Sequence, residues 1–231
     1  PICYHRRPPI DNARPRSMDP ISLTAWFREF GTDIGAVLAS AALVGAYYLF
    51  HAAQVRRDPS YSIHFVNELT RRIWVEHVMG DPSKDVMAVQ TLRNFIMVGI
   101  LMVSTATLLI LGTLTLSGQT DNIARSWHAL NLLGSHAAEL WIVKVMCLLA
   151  DFLVAFFSYA MAIRLATHVL FMVNVPKEFQ RAHDVLSPEH AARRLNRAGR
   201  MVGVGMRAFL FAIPLAFWLF GPLYLFLATA A

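Results

Sequence analysis

Lys144 and Asp151 stand seven residues apart inside the apolar run from Glu139 to His168. Seven residues are about two helical turns, so both side chains share a face, with their Cα atoms ~10 Å apart along the axis. A charge inside lipid costs a few kcal/mol, so such groups are expected to face protein or water. Two chemistries suit them. In the first, Lys144 reaches along the helix to Asp151 and the intramembrane polar pair lines a path for protons or small polar solutes. In the second, a protonated Asp151 bonds to a threonine of a neighbouring span and Lys144 snorkels to water.

A second constellation is cationic. Arg93, Arg164 and Arg207 lie in three different apolar runs, and His168 follows Arg164 by one turn on the same face. Arginines converging between helices suit the phosphate of an anionic lipid, or a small phosphorylated or carboxylate ligand. Arginines that snorkel separately to headgroups give the same pattern. A third group, His128, His136 and Glu139, falls in a connecting segment beside Trp127. On a helix His136 and Glu139 would share a face, as a divalent metal needs, but interfacial polar residues beside an aromatic anchor look the same. No metal or cofactor is expected. The common catalytic signatures are absent: there is no nucleophile elbow, phosphate-cradling glycine loop, HExxH or haem-type CxxCH. The chain is expected not to be an enzyme.

The elements that must position these residues are membrane spans. The 231 residues are 56% hydrophobic and 16% charged, against about half and a quarter in soluble domains. The mean hydropathy is +0.45. The net charge of +6 could suggest nucleic acid, but the positive residues cluster beside apolar runs, so no nucleic-acid partner is expected. Of the two cysteines, Cys3 and Cys147, neither suggests a metal site or a disulfide framework, and Cys147 reads as a small core hydrophobe.

Residues 1–17 hold four prolines, four arginines and no apolar run, and read as a disordered arm or as a non-native extension ahead of Met18. Residues 18–231 read as one membrane domain. Asp19–Phe30 looks interfacial, with Trp26 and Phe27 at headgroup level. Four spans are predicted, at about 34–53, 95–116, 140–165 and 202–228. Gly31, Gly35, Ala39 and Gly45 could permit close helix approach in the first, Gly199 and Gly203 in the fourth. Between Tyr61 and Met79 an amphipathic helix is predicted to lie on the cytoplasmic membrane face, with Ile63, Val66, Leu69, Ile73, Trp74 and Val78 on one side and His64, Glu68, Arg71, Arg72 and Glu76 on the other. Gly80-Asp81-Pro82 should end it, and Ser83 should cap the next helix. Ser187-Pro188 should start the last long one. Ser104, Thr105 and Thr107 are expected to bond back to their own helix, and Pro214 to kink its own.

Lysine and arginine number six in the first inter-span segment, seven in the third and one in the second. The first and third are therefore expected in the cytoplasm and both termini outside, in the inner membrane.

Several stretches together resemble the domain of unknown function 599 family. They are Gln90-Thr91-Leu92-Arg93-Asn94 with Met97 and Ser104-Thr105-Ala106; Lys144, Phe156-Phe157, Ile163-Arg164, His168 and Asn174-Val175-Pro176; and Gly205-Met206-Arg207-Ala208-Phe209, Pro214, Trp218 and Gly221-Pro222. The resemblance covers roughly residues 25–225. The resemblance implies an integral membrane protein with about four spans and implies no reaction.

The expected fold is an all-α membrane protein, a four-helix transmembrane bundle with a cytoplasmic amphipathic interfacial helix. The expected role is that of a non-catalytic scaffold or accessory subunit. Its partners would be anionic membrane lipid, bound at Arg93, Arg164, His168 and Arg207, and a larger membrane complex or further copies of itself. The rival expectation is a small transporter or channel with a polar lining at Asp151 and Lys144.

Overall fold

A computed structural model describes residues 23–58, 61–118 and 138–231; the arm at 1–17 and the histidine loop with His128 and His136 lie outside them. The described residues form helices and no strand. In chain order these are α1 (Leu23–Arg57), α2 (Ile63–Met79), α3 (Asp85–Gly118), α4 (Ala138–Val173), α5 (Lys177–Ala182), α6 (Pro188–Trp218) and α7 (Pro222–Ala230). Four are long and apolar enough to cross a membrane: α1, α3, α4 and α6. The chain is a membrane protein built as an all-α bundle.

Local chemistry places most of the boundaries. Ser187 occupies the N-cap of α6, with Pro188 in its first turn. α2 stops at Met79, before Gly80-Asp81-Pro82. Asp81, rather than Ser83, does the capping that follows: Ser83 donates its backbone N–H (3.0 Å) and its hydroxyl (2.8 Å) to Asp81 Oδ1. Ser104, Thr105 and Thr107 donate to the carbonyls of Ile100, Leu101 and Val103, as expected of hydroxyls with no water at hand.

The bundle is centred on α4, which packs most extensively against α6 and α3. With 34, 36 and 31 residues, α3, α4 and α6 are ~45–55 Å long, well over the ~30 Å hydrocarbon thickness. They therefore project beyond the membrane at one end. There α2 joins them, and Val75, Val78 and Met79 complete an apolar cluster with Leu92, Val169, Met172 and Leu195. Each such burial contributes roughly 1.5–3 kcal/mol.

Within the membrane-crossing part, Trp141, Val145, Leu148 and Phe152 of α4 form a second apolar cluster with Ala212 and Leu219, and small residues make the closest approaches. A Cβ at Gly99 would lie 2.8 Å from Ile163, and one at Gly205 2.6 Å from the ring of the buried Tyr159. Both positions need glycine because a helix or ring sits against the backbone. The glycines of α1 do not: Gly31, Gly35 and Gly45 have open space where a Cβ would be. The expected close approach through α1 is therefore absent, and α1 packs chiefly on α7.

Two further expectations need correction. The fourth span does not run from 202 to 228. α6 ends at Trp218, and Gly221, at φ 144°, turns the chain into α7, which packs back against α6 and α1. Its nine residues span only ~13 Å, too short to cross a bilayer. Nor does α2 lie flat. His64 sits beside Gly203, Arg71 beside Gly199, and Val75 and Val78 cluster with Ala191 and Leu195, so α2 stands antiparallel along α6.

Gly205→Ala is expected to destabilise the bundle by ~1–3 kcal/mol through overpacking on Tyr159, whereas Gly112→Ala, facing open space, should shift the detergent melting temperature little or upward. Asp81 is predicted to titrate detectably by NMR. Its hydrogen bonds from Ser83 lower its pKa from 3.8 to about 2. The depressed value means that the contribution of this cap is present above pH 3.8 and is lost as pH falls toward about 2. Faster amide exchange at Ser83 should appear only in that acid window, and protection unchanged down to pH ~2 would contradict it.

Candidate functional site

At one end of the bundle the N-terminal parts of α1 and α4 meet the C-terminal end of α6. Lys144 Nζ lies 2.9 Å from Asp33 Oδ1, with the side chains 4% and 1% exposed. Trp218 donates its indole N–H to the same oxygen at 3.0 Å, and its ring centroid lies 5.3 Å from Lys144 Nζ. The aspartate thus receives an ammonium and an N–H donor, while the ammonium also faces an aromatic ring. Few other contacts hold α1 to the central helices, because most of its side chains beyond Phe30 are exposed.

This arrangement corrects the expected Lys144–Asp151 pair. A carboxylate on another helix lies within direct reach of Lys144, whereas Asp151 is about two turns further along α4. Asp151 Oδ2 is buried with no hydrogen-bond partner among the described residues. Asp33 escaped the sequence reading, although a usable signal existed. Opposite charges near the starts of two spans running in the same direction are candidates for one another. Cys147, expected in the core, is exposed.

The cationic residues do not converge either. Arg93 donates to Gln90 of its own helix at 2.6 Å. Arg164 and His168 share a face, as expected, but that face is exposed, while Ala162 and Ala166 turn the opposite side of α4 inward. Depth also separates them. Gly205 packs on Tyr159, so the Cα of Arg207 is about two turns further into the bundle than that of Arg164.

Arg207 instead meets α2. Its Nη2 donates to His64 Nε2, so this imidazole nitrogen acts as acceptor. Side chains on a helix tilt toward its N-terminus, which on α6 is the projecting end, and that tilt brings the guanidinium back toward Gly203 and His64. The neighbouring contacts form a polar ladder. Asn196 donates to the Glu68 carbonyl at 3.2 Å, Arg200 pairs with the Glu68 carboxylate at 3.4 Å, and Arg71 fills the space above Gly199. Burial lowers the pKa of Arg71 and Arg200 adds to that effect, with Glu68 opposing it. His64, Glu68 and Arg71 are the residues that sequence alone assigned to the water-facing side of α2.

Beside Arg207, α1, α6 and α7 enclose a cleft of about 380 Å³. Its walls include Leu43 and Val44 of α1, Leu210, Phe211 and Pro214 of α6, and the last turn of α7. Arg207 is the one charged side chain lining it. Among the described residues no group of three or more His, Cys, Asp or Glu could hold a metal, and Glu139's proposed partners His128 and His136 lie outside them.

The Asp33–Lys144 contact yields a double-mutant prediction. Asp33→Leu or Lys144→Met alone is expected to destabilise by ~3–5 kcal/mol, since each leaves a buried charge unpaired, and the double variant should recover most of that loss. Thermal unfolding in detergent reads the stability, and cysteine cross-linking between α1 and α4 reads whether α1 stays docked.

No curated protein and no solved structure matches this chain. A family model described as "Protein of unknown function, DUF599" matches residues 35–231, which covers most of the chain and all of the bundle except the first part of α1, where Asp33 lies. The chain therefore belongs to the DUF599 family.

Proposed function

We propose that this protein is a non-catalytic component of the cytoplasmic membrane that engages anionic lipid headgroups at its projecting end and serves as scaffold or accessory subunit to a larger membrane assembly. One observation carries this reading. In its N-terminal half α2 sets His64, Glu68 and Arg71 against α6, with His64 and Glu68 still exposed, and turns Ile63, Phe65, Val66, Leu69 and Ile73 outward. A helix standing in water would be arranged the other way round. An outward apolar stripe at the end of the bundle that carries the basic connections suits the headgroup boundary, where apolar residues dip into the leaflet and cations meet phosphate.

Orientation follows from the basic residues. The connections that carry them come together at one end, where Lys177 donates to the Gly80 carbonyl and Glu68 receives Asn196. The positive-inside bias assigns that end to the cytoplasm. The Asp33–Lys144–Trp218 contact is then on the outer side.

A small transporter or channel is the second reading, favoured by the buried, unpartnered Oδ2 of Asp151. Lys144 no longer belongs to its lining, being committed to Asp33. Proton flux in proteoliposomes that Asp151→Asn abolishes would select this reading.

The lipid reading is tested by native mass spectrometry after gentle extraction from a mixed anionic and zwitterionic membrane. Preferential retention of anionic lipid, or of a partner subunit, is the expected result. Retention of both lipids in their membrane ratio, with no partner, would sink it. Leu69→Asp together with Ile73→Asp should cut the retained anionic lipid several-fold. Because both side chains are exposed, stability should change by no more than about 0.5 kcal/mol per site.

A further inference from the structure

The cleft between α1, α6 and α7 has the shape and charge of a site for one lipid molecule. Its one charged side chain is the Arg207 guanidinium, turned toward His64 and Gly203, and Tyr47, Tyr48 and Thr229 also line it. Leu210, Phe211 and Pro214 follow along α6 away from that end and toward Trp218, and Leu43 and Val44 face them from α1. A charged end at the projecting side with apolar walls running deeper matches the order of a phospholipid in that leaflet, phosphate first and acyl chain after. The volume of about 380 Å³ lies within the range of small-molecule sites.

Arg207 itself calls for an anion. No carboxylate lies within ion-pair distance of it among the described residues, and its partner His64 accepts one N–H without carrying negative charge. A guanidinium has five N–H donors, so donors remain for a phosphate. Arginine without a counter-charge among apolar walls is costly in a bilayer, and an anion from the same leaflet would remove that cost. A free phosphate would use the guanidinium and leave the apolar walls unoccupied.

We propose that this cleft holds one anionic phospholipid, its phosphate on Arg207 and His64 and one acyl chain along Leu43, Val44, Leu210, Phe211 and Pro214. The proposal rests on the anionic-lipid reading above and narrows it from a headgroup boundary to a single stoichiometric site. The site uses only Arg207 of the four cationic residues that the sequence grouped together.

The test uses the full chain purified from membranes containing phosphatidylglycerol and phosphatidylcholine, washed with a delipidating detergent and read by native mass spectrometry. One phosphatidylglycerol per chain should survive the wash. Arg207→Gln should lower its occupancy about tenfold or more, as loss of a charge-assisted contact implies. Leu210→Trp and Val44→Trp, which fill the cleft from opposite walls, should lower it as much while melting like the parent protein. Arg164→Gln should leave it unchanged.

The site is overturned if no lipid survives the wash, if phosphatidylcholine survives equally, or if the lipid persists with both tryptophan variants. A peptide segment cross-linked within the cleft overturns it as well. These failures are separable from failure of the broader reading. Anionic enrichment in gently extracted protein that responds to Leu69→Asp and Ile73→Asp, with no tightly held lipid, would keep the headgroup reading and remove the site.

Discussion

The contact between Asp33, Lys144 and Trp218 decides where α1 goes. In a bilayer the lipid tails are as apolar as leucine, so helices are not driven together by burying apolar surface, and directional contacts carry more of the choice. α1 illustrates the consequence. Beyond Phe30 its side chains are mostly exposed, its glycines face open space, and it touches the core chiefly through one ion pair and the short helix α7. The pair also fixes polarity. Asp33 and Lys144 both lie near the starts of their helices, so α1 and α4 run in the same direction with their N-terminal parts level.

Two packing regimes share the same long helices. At the projecting end, water is available and the core is built from bulky side chains: Val75, Val78, Leu92, Met172 and Leu195. Further along, where lipid replaces water, small groups let the helices come close, Gly99 under Ile163 and Gly205 with Ala208 around Tyr159, beside a second bulky cluster around Trp141, Leu148 and Phe152. The first regime draws on the hydrophobic effect, the second on close van der Waals fit and internal hydrogen bonding of serine and threonine. α2 stands across the change. Its C-terminal half joins the water-side core, while its N-terminal half presents polar groups to α6 and apolar ones outward.

Sequence reading succeeded wherever a local rule sufficed. Hydropathy located the spans, punctuation at Gly80-Asp81-Pro82 and Ser187-Pro188 marked helix ends, and the hydroxyls of Ser104, Thr105 and Thr107 bond back as expected. It failed wherever rotation or long-range pairing decided. Nothing local to Lys144 points to Asp33 rather than Asp151. The residues of α2 divide cleanly by polarity, but the division does not say which half faces the bundle. Arg93, Arg164 and Arg207 were grouped by topology, which gives approximate depth and says nothing of facing direction. The run 202–228 stays apolar throughout, and hydropathy records composition without recording that Gly221 reverses the chain.

That reversal is what makes a cleft possible at all. Had α6 continued past Trp218 as one helix, α1 would have had no α7 to lean on, and Arg207 would have faced open lipid. By turning back, α7 runs beside α1 and α6 for about half the depth of a bilayer, and its last turn lines the cleft together with Arg207. Pro214 belongs to the same region. Its missing N–H leaves the carbonyl of Leu210 without the usual helical donor, and both residues line the cleft. The family-like residues Arg207, Pro214, Trp218 and Gly221-Pro222 thus have linked structural roles: Trp218 completes the Asp33–Lys144 contact, Gly221 turns the chain, and Arg207 with Pro214 lines the space beside the turn.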